Sequence, residues 1–207
     1  MQYRTGAFVL VILALTFSVG CTTPYEGPAE SPPPSIPAVT PLPDSKSATV
    51  PASEMALVLT DIPAEYFVRD RSVMISPEVT QLTRDLGWTG GYFVLFERTG
   101  RIKNDRTQVR QALSIFPVEN MNKVFTLEKT ALSEGATAAG TMDEIPFPAT
   151  GDRSIAYRAT GTADPTQVTY TVIFSKKNVF ERITMTGTST DYETLKGMVQ
   201  KAAEKIR

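Results

Sequence analysis

The chain has 207 residues, 42% hydrophobic and 21% charged, with a net charge of −1, one cysteine and no histidine. That near-neutral total lacks the basic footprint of a nucleic-acid binder, and a lone cysteine closes no internal disulfide. Without histidine, Ser-His-Asp triads, Cys/His zinc sites and the commonest general base near neutral pH are excluded.

Residues 1–6 carry one positive charge, Arg4, and an apolar run occupies residues 7–19. The run is shorter than the ~20 residues a membrane-crossing helix needs. A basic start, a short apolar middle and small residues at its end are the features of an export signal. The segment Phe17-Ser18-Val19-Gly20-Cys21 resembles a lipobox, the signal in bacterial and archaeal lipoproteins whose cysteine becomes the lipid-bearing N-terminus. Val19 and Gly20 fit that pattern; Ser18 stands where it usually carries Leu, Val or Ile. The resemblance implies a signal segment at residues 1–20 and lipid attachment at Cys21. The other reading is an uncleaved N-terminal anchor with Cys21 as an ordinary thiol. Both place the domain outside the cytoplasmic membrane, on its outer face or at the cell surface, and attached to it.

Residues 21–51 are dominated by Pro24, Pro28, Pro32, Pro33, Pro34, Pro37, Pro41, Pro43 and Pro51. Proline fixes φ and lacks the N–H that helices and ladders need. The segment therefore reads as a disordered, extended linker, reaching on the order of 90 Å at most. Residues 52–207 are of one-domain size.

Within that domain, residues 54–60 form a short apolar segment stopped by Pro63, and residues 66–75 read as extended. Ser76-Pro77-Glu78 predicts a helix start, with Ser76 as cap and Pro77 in the first turn. That helix carries Val79, Leu82 and Leu86 on one face and stops at Gly87. Gly90-Gly91 marks a turn into the strand Tyr92-Phe93-Val94-Leu95-Phe96. A charged connection at residues 97–106 leads to a second strand at 108–116. Helical spacing runs from Glu119 to Leu132, ending before Gly135, and residues 136–151 read as a loop. Three strands follow at 154–159, 167–175 and 179–187, with Lys176-Lys177-Asn178 in the tight turn between the last two. Val168, Tyr170, Val172 and Phe174 alternate with Thr169, Thr171 and Ile173, the period of a strand. Thr190 and Glu193 form a capping box, opening a final helix with the stripe Tyr192, Leu195, Val199, Ala202 and Ile206.

Hairpins with helices between them predict an α+β fold, an antiparallel sheet covered by helices. Asp61-Ile62-Pro63-Ala64, Leu86-Gly87-Trp88 and Gly91-Tyr92-Phe93-Val94, followed by Gly151-Asp152-Arg153-Ser154-Ile155-Ala156-Tyr157, resemble a diffuse pattern in prokaryotic secreted lipoproteins. Such domains are similar to the PsbP/Mog1-like α/β/α sandwich. The resemblance implies accessory, scaffolding or ligand-binding roles and carries no functional residues with it.

Trp88, Gly90, Gly91 and Tyr92, with the basic residues Arg98, Arg101, Lys103 and Arg106, make the candidate binding face, and Arg110 lies near that basic loop. The aromatics suit a ligand pocket and the basic loop an anionic headgroup or polymer. No cofactor or metal is expected. The expected function is that of a membrane-tethered, non-enzymatic lipoprotein binding a partner protein or a small ligand. Two alternatives remain: a carrier of apolar ligands, and a histidine-free hydrolase. The hydrolase would need Asp143, Glu144 or Asp152 to converge in a cleft.

Overall fold

A computed structural model describes residues 46–99, 107–139, 142–161 and 164–207. Among these residues, seven strands pair in one sheet: β1 (Tyr66–Met74), β2 (Gly90–Arg98), β3 (Gln108–Ile115), β4 (Met142–Ile145), β5 (Arg153–Thr160), β6 (Val168–Lys176) and β7 (Val179–Gly187). The spatial order is β1-β2-β3-β7-β6-β5-β4, and each neighbouring pair is antiparallel. Four α-helices accompany the sheet among the described residues: α1 (Ala52–Met55), α2 (Gln81–Asp85), α3 (Met121–Ala139) and α4 (Tyr192–Lys205). The α+β reading of the sequence therefore holds.

Alternation along the strands divides the core in two, because successive side chains point to opposite faces. Val94, Leu113, Ile183, Val172 and Ala156 join the apolar stripe of α4 and the residues around α1. Ile155, Tyr157, Ile173 and Phe180 join Val124, Phe125 and Leu132 of α3 on the other face. The result is three layers, with helices on both sides of the sheet. Edge strand β1 carries Arg69, Asp70 and Arg71 and an irregular register between Val68 and Asp70, both of which discourage pairing with a further strand.

Several boundaries differ from the sequence reading, each for a local reason. Ser76-Pro77-Glu78 is a single 3₁₀ turn, and the α2 cap is Thr80, whose Oγ1 accepts from the Thr83 N–H at 3.2 Å. Buried Val79 stays extended between the two, so the helix cannot begin earlier. Gly90 and Gly91 lie inside β2 rather than in a turn. Helix α3 runs past Gly135 to Ala139, since Ala136, Ala138 and Ala139 are strong helix formers. The expected loop at 136–151 contains β4, which pairs with β5 from Met142↔Ala159 to Ile145↔Ala156. Asp191, not Thr190, caps α4, its carboxylate accepting from the Glu193 and Thr194 N–H groups. Ala48 and Val50 already pack on the core, and the Thr49 N–H donates to the Arg207 carbonyl at 3.0 Å. The packed unit thus reaches slightly ahead of residue 52.

A candidate anion-binding groove on the sheet

Helix α3 lies against β4, β6 and β7, leaving the β2–β3 part of the same sheet face without a long helix over it. A groove of about 340 Å³ opens on this face across β3, β7 and β6, lined by Arg110, Ala112, Thr171, Arg182 and Thr184. It adjoins a hollow of about 230 Å³ through Ala112 and Arg182, toward Phe116, Val124 and Glu128. Register explains why these side chains meet. Arg110 pairs with Thr184 and Ala112 with Arg182 across β3 and β7, so the two arginines are diagonal neighbours on one face, about 7–8 Å apart at the backbone.

The two guanidinium groups differ in what holds them. Arg110 is exposed and its guanidinium carbon lies 4.8 Å from the centroid of the Phe93 ring. Among the described residues it makes no ion pair. Arg182 Nη1 lies 3.8 Å from Glu128 Oε2 on α3, with both side chains 39% exposed, a pairing worth little in such surroundings. Threonine hydroxyls continue the polar floor: Thr171 Oγ1 is 3.3 Å from Thr184 Oγ1, and Thr169 Oγ1 is 3.0 Å from Thr186 Oγ1. Each hydroxyl can donate once and accept twice, which leaves capacity for a ligand. Two planar forks of N–H donors beside hydroxyls and a ring are groups whose chemistry suits an anion that also carries hydroxyl groups.

The residues singled out from the sequence do not form one face. Gly90 and Arg98 end the nine-residue strand β2, which separates them by roughly 26 Å. Gly91 faces the α3 side, where an added Cβ would lie 3.4 Å from Trp88 Cζ2, and Trp88 packs on the α3-side core. Tyr92 faces the opposite side, against the α1/α4 core. Arg98 is engaged in the fold: Nη2 lies 3.5 Å from Glu65 Oε1, and Nη1 donates to the Ser189 carbonyl at 3.4 Å. Arg101, Lys103, Arg106 and Cys21 lie outside the described residues. Arg110, read as an adjunct of the basic loop, is a strand residue of the groove. Arg182, Thr171 and Thr184 were missed, although the threonines alternate with buried apolar residues in strands the sequence did predict.

The acidic residues considered for catalysis stay apart. Asp143 and Glu144 are consecutive on β4 and point to opposite faces. Glu144 lies 3.7 Å from Lys129 Nζ, while Asp152 Oδ2 accepts from the Lys177 N–H at 2.7 Å in the β6–β7 turn. Among the described residues no three His, Cys, Asp or Glu side chains gather as a metal set.

One acid is buried on the α4 side of the sheet. Glu181 is fully inaccessible; its Oε1 accepts from Gln111 Nε2 at 2.6 Å, and Gln111 Oε1 accepts from the Leu57 N–H at 2.7 Å. Its Oε2 has no hydrogen-bond partner among the described residues. Desolvation pushes the carboxyl up to about 8, against the opposing influence of Gln111 and Lys205, so Glu181 is mainly protonated at neutral pH.

No protein-family model matches the chain, and neither does any curated protein. Among solved structures, the extracellular domain of PknH from Mycobacterium tuberculosis is similar, with a TM-score of 0.55 and 12% identity, over 75% of this chain and 94% of that one. The likeness is one of fold. At that identity it transfers an architecture and no residue roles.

Proposed function

We propose that the protein is a membrane-tethered extracytoplasmic binding module, without catalytic activity, that takes a small polyhydroxylated anion such as a sugar phosphate in the Arg110–Arg182 groove. The juxtaposition of those two arginines with Thr171 and Thr184 on one rigid sheet face carries the reading. A site built on strands holds its donors in place before the ligand arrives, which limits the ordering cost of binding. Lipid attachment at Cys21 and the Pro-rich linker supply the tether. The extracellular origin of the similar PknH domain supports that placement, and the three-layer arrangement agrees with a PsbP/Mog1-like domain.

The binding test is equilibrium dialysis of the full-length protein with glucose 6-phosphate, alongside glucose as the uncharged control. Replacing both Arg110 and Arg182 by Ala should weaken sugar-phosphate binding by at least tenfold, since a charge-assisted hydrogen bond contributes about 1.5–3 kcal/mol. Equal binding by wild type and the double variant would remove the groove from the function. For the tether, Cys21→Ser should abolish acyl modification and release the protein from membranes; unchanged retention and mass would contradict lipidation.

A further inference from the structure

The opposite face of the sheet carries a second hollow, distinct from the groove. Residues 52–62 cross that face as a strap over β1 and β2. Beneath them lies a cavity of about 350 Å³, within the ~300–1,000 Å³ range of small-ligand pockets. Ala56, Leu57 and Val58 line it from the strap, and Val68, Tyr92 and Val94 from the sheet. The strap is held by polar contacts at its middle and near its C-terminal end. Gln111 Oε1 accepts from the Leu57 N–H, Lys205 Nζ donates to the Ala56 carbonyl at 3.0 Å, and Lys201 Nζ donates to the Asp61 carbonyl at 2.8 Å. Between these points Val58 and Leu59 are left 47% and 50% exposed at the rim.

Arg71 is the charged group of this lining. It pairs in register with Val94, is exposed, and makes no ion pair among the described residues. Other arginines near this sheet edge are engaged: Arg69 lies 3.7 Å from Glu97, and Arg98 3.5 Å from Glu65. An apolar hollow with one unpaired guanidinium at its mouth is complementary to an acyl chain ending in an anion.

We infer that this hollow binds a long-chain fatty acid, its acyl chain under the strap and its carboxylate on Arg71. The strap's exposed apolar residues then cover the part of the chain that protrudes, and burial of that surface drives the binding. A protein held at a membrane surface has such amphiphiles within reach.

The test is photo-crosslinking of the full-length protein, reconstituted in phosphatidylcholine vesicles, with a diazirine-bearing palmitate, followed by peptide mapping. Adducts are expected on residues 53–60, 68–71 and 92–94. Arg71→Glu should lower their yield about tenfold, in line with loss of a charge-assisted contact, while labelling by the matching diazirine fatty alcohol stays as it was. Ser53→Trp, which fills the cavity from an exposed rim position, should suppress both probes, and both variants should keep the wild-type thermal midpoint. Adducts confined to residues 1–45, adducts spread evenly over the surface, or an Arg71→Glu yield equal to wild type would each overturn the assignment.

Discussion

Replacing Glu181 by Gln removes a proton-linked penalty built into the core. A buried carboxyl held at about 8 instead of the ordinary 4.5 binds a proton in the folded state that the unfolded chain has released. The native state then carries more protons than the unfolded state throughout that interval, so stability falls as pH rises through it. Below about pH 4.5 both states hold the proton and the penalty vanishes. Above about 8 both are ionised and the penalty is constant. Each unit of pKa difference corresponds to about 1.4 kcal/mol, so the full penalty is roughly 4–5 kcal/mol. Gln has the shape of the neutral acid and keeps the acceptor for Gln111 Nε2. Glu181→Gln should therefore match wild type near pH 4.5 and exceed it by several kcal/mol at pH 8–9. Denaturant unfolding of full-length protein, read by fluorescence of Trp88, the one tryptophan of the chain, measures both curves. A difference between variant and wild type that stays flat from pH 5 to 9 would mean that Glu181 carries no such penalty.

Gly91→Ala should destabilise the sheet by about 1–3 kcal/mol, as overpacking does, because the new Cβ would sit 2.5 Å from the Leu113 carbonyl oxygen; the thermal midpoint reports it. Asp191→Ala should lower stability by about 1 kcal/mol through loss of the α4 cap, measured by the same unfolding assay. At acid pH a different loss appears. Burial raises the Asp61 carboxyl, but its bonds to Lys205 and the Val58 N–H outweigh burial and leave it below its ordinary 3.8. A depressed carboxyl stabilises the fold above its unfolded value and loses that contribution as pH falls through the folded one. Asp61→Asn should therefore lower stability at pH 7 and leave it nearly unchanged at pH 2, as paired denaturation curves would show.

The strands were the legible part of this fold. In β6, the alternation of Val172 and Phe174 with Thr171 and Ile173 fixed both the element and its two faces. What escaped was whatever depended on partners distant in sequence. Strand β4 is four residues long and holds no period of its own; it is a strand because residues 156–159 lie beside it. Helix α4 was placed correctly, yet its cap was assigned to Thr190, since both Thr190 and Asp191 satisfy the local rule and only backbone geometry chooses between them. The groove needed register as well as elements. Arg110 and Arg182 are far apart in sequence and become diagonal neighbours only when β3 pairs with β7. A strand reading that placed Trp88, Tyr92 and the basic loop together overlooked the length of β2, which sets its two ends far apart, and the alternation that turns Tyr92 away from Gly91.

The most direct test of the account is an amide-resolved NMR titration of the full-length protein, in detergent micelles, with glucose 6-phosphate. The groove predicts saturable shifts centred on Arg110, Ala112, Thr171, Arg182 and Thr184, weakening as salt is raised and absent with glucose alone. Shifts scattered over surface lysines, or none in that set at saturating ligand, would contradict an anion site on this face of the sheet.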